Sequence, residues 1–184
     1  NSFSALNTAI KDIDAGGADA ATNTSYTIKV TGGFNLASPG LEAINLMSGS
    51  SVTIEGTNSG ATAAQVETIN GGGTQRGFFV YSGSVTLENL TLTGMTAVGG
   101  AGGNGAAGGG GGGGGAGLGG GLFVTFASSV ALIGVQFSGD KATGGNGGSI
   151  TGKDFGGGGG LGGAGGSGTT SGNGGGGGVG VAAA

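Results

Sequence analysis

An eleven-residue pattern returns along this chain and limits its fold more than any other feature. Ile44-Asn45-Leu46-Met47-Ser48-Gly49-Ser50-Ser51-Val52-Thr53-Ile54 lies without a gap over Leu122-Phe123-Val124-Thr125-Phe126-Ala127-Ser128-Ser129-Val130-Ala131-Leu132. Between them runs Phe78-Phe79-Val80-Tyr81-Ser82-Gly83-Ser84-Val85-Thr86-Leu87, one residue shorter at its turn. A fourth copy begins at Val179-Gly180-Val181 and stops at Ala184, so further coils are expected beyond it. Each copy reads as a strand, a turn of small residues and a second strand, the unit of a stacked repeat.

Apolar residues alternate at Val85 and Leu87 and again at Leu90 and Leu92, with the same phase at Val130, Leu132, Val135 and Phe137. Alternation with period two places each set on one face of a strand. The phase slips at Asn89 and Gly134. These residue types most readily accept a left-handed backbone, so the slip predicts a corner with Asn89 stacked over Gly134. Arg76 to Val98 and Gly121 to Thr143 each span 23 residues, one coil of three short strands. The fold class expected is all-β, a right-handed parallel β-helix occupying residues 26–184.

Residues 1–25 differ. Phe3, Leu6, Ile10 and Ile13 recur at helical spacing, Ser2 and Ser4 stand where a cap is needed, and Gly16-Gly17 ends the pattern. A short amphipathic helix is expected to close the first coil, because its apolar stripe has no other cover.

Glycine is segregated. It makes up 17 of the 23 residues from 99 to 121 and 21 of the 35 from 144 to 178. Runs such as 108–115 break the every-third rule of collagen. Both segments leave the repeat at the same point, which places the arms side by side, either as flexible loops, since glycine loses most backbone entropy on ordering, or as the favoured ordered bundle resembling the polyproline II helix, polyglycine II-like, with about three residues per turn and 3.1 Å rise. Such helices bond only to neighbours, since they have no internal hydrogen bonds. Leu118, Phe155 and Leu161 interrupt the glycine and are candidate anchors.

Chemistry is sparse. With five basic and nine acidic residues, no basic patch exists to neutralise phosphates, and nucleic acid is not an expected partner. Absence of cysteine and histidine removes disulfides, thiolate or imidazole metal sites and imidazole bases. Gly147 to Lys153 nearly forms a phosphate loop, but Asp154 replaces the serine or threonine that would hold magnesium. Gly99 to Asn104 carries asparagine where a calcium-binding nonapeptide needs aspartate. Neither cofactor nor metal is expected. A β-helix enzyme acting on polysaccharide would draw on Glu55, Glu67, Glu88, Asp140 and Arg76, yet no spacing brings two of these carboxylates face to face. The chain is read as non-enzymatic, with no small-molecule substrate. Asn23-Thr24-Ser25 and Asn89-Leu90-Thr91 match glycosylation acceptors by chance.

GGGTQRGFFV at 71–80, SGSVTLENLTLTG at 82–94 and GGLFV at 120–124 resemble passenger domains of bacterial autotransporters and related filamentous-haemagglutinin-like surface proteins. The likeness runs over nearly the whole chain. It implies a secreted stalk at the bacterial cell surface, attached to the outer membrane through a barrel domain that this chain lacks. It also implies adhesion to a glycan or protein on a host or neighbouring cell, or self-association into fibres. A phage tail-fibre adhesin and a carbohydrate-active enzyme are the alternatives.

Overall fold

The structure, a computed structural model, describes residues 2–57, 66–154, 156–161 and 163–168. The fourth copy at Val179 and the anchor Phe155 lie outside them. Helix α1 (Phe3–Ile13) precedes β1 (Ser25–Val30), β2 (Phe34–Asn35), β3 (Ile44–Asn45), β4 (Ser51–Gly56), β5 (Glu67–Asn70), β6 (Phe78–Glu88) and β7 (Leu90–Thr93). Then follow β8 (Thr96–Val98), β9 (Gly105–Gly109), β10 (Leu122–Val124), β11 (Ser128–Ile133), β12 (Gln136–Ser138), β13 (Lys141–Thr143) and β14 (Ile150–Asp154).

These strands correct the expected class. The fold is mixed α/β, 38% strand and 7% helix, in several small parallel sheets, and no solenoid or β-helix is detected among the described residues. The described strands divide into sheets of six, four, two and two. The physical reason lies in what a repeat specifies. Like residues in successive copies determine which strands pair and in what register, but not whether separate sheets close into one coil. Two compact units comprise Asn1–Thr96 with Gly119–Lys141, and Ala97–Leu118 with Ala142–Ala184.

In the first unit, β1, β4, β6 and β11 pair in parallel, with Val52 opposite Val85 and Val85 opposite Val130. Ile28, Ile54, Leu87 and Leu132 form the next inward row. β2, β5, β7 and β12 make the four-stranded sheet, in which Ile69 opposes Leu92 and Leu92 opposes Phe137. Ile54, Ile69, Leu87, Leu90 and Leu92 are fully buried, and each stabilises the unit by about 1.5–3 kcal/mol. One pairing departs from the sequence alignment. Ile44 lies opposite Val80 rather than Phe78, with an irregularity before Asn45 meets Ser82. A slip of two keeps the same face inward, so Ile44 stays buried.

Helix α1 starts where Ser2 accepts a hydrogen bond from the Ala5 amide at 3.3 Å. It buries Leu6, Ile10 and Ile13 in the same core, and Phe3 packs partly buried against it. Of the four strand positions in the copy that starts at Leu122, Leu132 and Phe137 are 46% and 44% exposed, whereas Val130 and Val135 are half-buried.

The phase slip is a stack of unusual backbone. Asn89 has φ 52° and Gly134 φ 60°, and a Cβ on Gly134 would meet Asn89 Oδ1 at 2.9 Å. The Asn89 amide donates to Ile133 O at 2.9 Å, and its carbonyl accepts from Glu67 N at 3.0 Å.

The second unit is held by glycine main chain. Five extended stretches, 99–105, 110–117, 144–149, 156–160 and 163–168, bond to one another at three-residue intervals. Gly112 and Gly115 donate to Gly103 and Gly100, Gly100 and Gly103 to Gly160 and Gly157, and Gly145 and Gly148 to Gly115 and Gly112. Gly102 donates to Asn146, and Gly165 and Gly168 to Ala101 and Asn104. The registers make the first, third and fifth stretches parallel and the other two antiparallel to them. A repeat of three residues per bond direction matches an extended threefold helix. Side chains are excluded by contact: a Cβ on Gly103 would collide with the carbonyl of Gly166, whereas one on Gly113 would meet nothing within 4 Å. Within this unit, β9 and β14 pair in parallel with register shifts, which the glycine pattern does not reveal.

Two expectations follow. Amide exchange at Gly100, Gly103, Gly112 and Gly115 is slow in the native chain; Gly103→Ala abolishes that protection and Gly113→Ala leaves it, as exchange mass spectrometry reads. In the first unit, urea unfolding shows Asn89→Ala and Gly134→Ala each losing about 1–2 kcal/mol, while Asn89→Gly loses less.

Candidate binding surface

Residues that alternate inward leave an equally regular outward face. Ser25, Ser51, Ser84 and Ser129 stand in one row across β1, β4, β6 and β11, and Thr27, Thr53, Thr86 and Ala131 in the next. Strand spacing sets the residues of each row about 4.8 Å apart along the sheet. Ser51 Oγ donates to Ser25 Oγ and Ser129 Oγ to Ser84 Oγ, both at 3.1 Å. A third row carries charge: Lys29, Glu55, Glu88 and Ile133, with Lys29 Nζ 3.4 Å from Glu55 Oε1.

Beside the serine row, the turns of three copies border a groove of about 530 Å³ whose walls include Ser48, Ser51, Ser84, Ser129 and Phe126. An adjoining cavity of about 360 Å³ is lined by Tyr81, Phe123, Val124 and the same Phe126. Phe126 is fully exposed. Its turn is held from both ends. Thr125 Oγ1 donates to Tyr81 O at 2.6 Å, and Ser128 Oγ to Thr125 O at 2.9 Å and Val80 O at 3.2 Å. Phe79 packs on Phe123 with centroids 5.3 Å apart and edge-on to Tyr81 at 6.5 Å, so an aromatic row fronts the second cavity.

The residues singled out for chemistry are dispersed with one exception. Glu55 lies directly opposite Glu88 on neighbouring strands, which corrects the expectation that no two carboxylates meet. The pair lies one column past the repeat, directly after Ile54 and Leu87. Glu67 pairs with Leu90 on the other sheet. Asp140 is spent on structure: its Oδ1 accepts from Met95 N at 2.7 Å, its Oδ2 is buried without a partner among the described residues, and burial raises its pKa. Arg76 is half-buried, and desolvation lowers its pKa. The amide of Gly148, in the near-miss phosphate loop, donates to Gly112 O rather than facing an anion. Among the described residues no three His, Cys, Asp or Glu side chains gather to hold a metal. No helix among them is long and apolar enough to cross a membrane.

Phe126 escaped the sequence reading although a signal for it exists. It aligns with Ser48 in the first copy, and an aromatic in a turn of small residues is out of pattern. No protein-family model matches the chain, and neither a curated protein nor a solved structure matches it.

The most perturbed carboxyl with a defined value lies away from this face. Asp14, at the end of α1, accepts from Asn45 N at 2.8 Å, and burial still raises its pKa from 3.8 to about 6, with Glu42 adding to the rise. A folded pKa above the unfolded one means the native state holds the proton more tightly. Its contribution is complete below the unfolded pKa and disappears as pH rises through about 6. The melting temperature therefore rises when pH falls from about 7 to about 4, and Asp14→Asn makes that part of the profile flatter, as scanning calorimetry checks.

Proposed function

We propose that the chain is a non-enzymatic structural and adhesive protein of the bacterial cell surface. The observation that carries this reading is the outward face of β1, β4, β6 and β11, two uncharged rows of hydroxyls repeated at strand spacing. Such a face gives many weak, equivalent contacts over an extended partner, the requirement of adhesion, and positions no single reacting atom.

A carbohydrate-active enzyme is the second reading, favoured by Glu55 opposite Glu88. Against it, neither carboxylate lines the groove or the aromatic cavity, and Lys29 ties up Glu55. Two carboxylates act on a glycosidic bond only when the substrate is seated between them.

Beads coated with the purified chain are expected to capture bacterial or host cells. Replacing Thr27, Thr53 and Thr86 together by lysine lowers capture by crowding like charges into the hydroxyl rows. Glu88→Gln leaves capture unchanged, and no reducing ends appear when polysaccharides are incubated with the chain. Absence of capture, or release of reducing ends that Glu88→Gln removes, would overturn the assignment.

A further inference from the structure

Phe126 and the serine groove make a surface of mixed but uncharged character. The groove and the aromatic cavity share Phe126 and Ala127, so a ligand lying across this turn touches hydroxyls on one side and rings on the other. No charged side chain lines either of them. We propose that this turn surface binds a neutral glycan chain, with a sugar ring stacked on Phe126 and its hydroxyls bonded to the serine row. The inference rests on the adhesive reading and names its partner.

Three properties of the surface select this occupant. First, the polar groups it offers are hydroxyls, each both donor and acceptor, which suits a partner whose own polar groups are hydroxyls. Ser82 and Ser128 spend theirs inside the fold, on Asn45 Oδ1 at 2.8 Å and Thr125 O at 2.9 Å, whereas Ser48, Ser51, Ser84 and Ser129 face the groove. Second, the complementary charge is zero. An anionic glycan or an acidic peptide would lose hydration without a cation to replace it. Third, an aromatic ring that is fully exposed on a turn whose backbone is held by side-chain hydrogen bonds from Thr125 and Ser128 is apolar area presented to solvent. The ring's face suits the C–H face of a pyranose, and the backbone that carries the ring is already ordered. A lipid chain would find no enclosure here, and its polar-free length would cover the serines without satisfying them. Neighbouring turns repeat at strand spacing, so the groove runs across copies and accommodates a linear chain rather than a single sugar.

Isothermal titration of the full chain with cellohexaose, mannohexaose and chitohexaose tests this, with heparin hexasaccharide as the anionic control. Saturable binding of at least one neutral oligomer is expected, and none of heparin. Phe126→Ala weakens that binding by about tenfold, Phe126→Tyr preserves it, and Ser84→Asp, which plants a charge in the groove, weakens it too. Phe126 is fully exposed, so its substitution leaves the fold intact, which circular dichroism verifies. No binding of any neutral oligomer, or equal binding by Phe126→Ala, overturns the proposal. Cell capture separates the two claims. Capture that persists while neutral glycans fail to bind rejects the glycan site and keeps the adhesive reading. Glycan binding without capture does the reverse.

Discussion

Main-chain hydrogen bonding between segments far apart in sequence sustains both units, in two different ways. A strand offers donors and acceptors sideways in its own plane, so it needs two neighbours and uses its side chains above and below. An extended glycine helix offers them in three directions and needs several neighbours, but no side chain at all. The first unit takes the former solution, with parallel ladders from β1 through β11. The second takes the latter: the stretch at 99–105 bonds to all four of the others. Ordering so much glycine loses a large backbone entropy, and only a network in which each stretch serves several partners offsets it.

Parallel register in the first unit has a consequence for chemistry. Because copies stack residue on residue, whatever the sequence repeats becomes a row. Inward rows of Val52, Val85 and Val130, and of Ile54, Leu87 and Leu132, make the core. Outward rows of serine and threonine make the surface. The corner obeys the same rule, since Asn89 sits beside Gly134 and both adopt positive φ. Core, corner and face are therefore one feature seen from three sides.

This explains what was legible in the sequence and what was not. The pairing of Val85 with Val130 and Leu87 with Leu132 was visible, because period-two alternation and an ungapped alignment both specify it. The helix at Phe3–Ile13 was visible from its apolar spacing and its cap. The class was not, because like-on-like pairing says nothing about how sheets join, and the all-β coil gave way to separate small sheets with a helix. The two-residue shift of Ile44 against Val80 was hidden by the irregularity at Asn45, which leaves facing unchanged and so leaves no trace in the pattern. Glu55 and Glu88 follow Ile54 and Leu87 directly, so their meeting was legible one column past the repeat, where the apolar alternation that marks the copies ends. Phe126 was overlooked because its neighbours in the copy, Ser128 and Ser129, kept the turn looking ordinary.

Like-on-like stacking also limits which partners such a face can recognise. A repeated charge would place equal ions about 4.8 Å apart, each neighbouring pair repelling by about 1 kcal/mol in water and more where water is partly excluded. The row of Lys29, Glu55, Glu88 and Ile133 relieves this only in part: Lys29 offsets Glu55, which still stands directly opposite Glu88, and the row ends at the uncharged Ile133. Hydroxyls have no such restriction, because neighbours in a row donate to one another, as Ser51 does to Ser25 and Ser129 to Ser84. An extended face built this way is therefore driven toward neutral, hydrogen-bonding chemistry by the same register that builds the core. Specificity then has to come from positions that break the repeat. Phe126 is such a position, a ring where the first copy has Ser48, at the border between hydroxyls and aromatics.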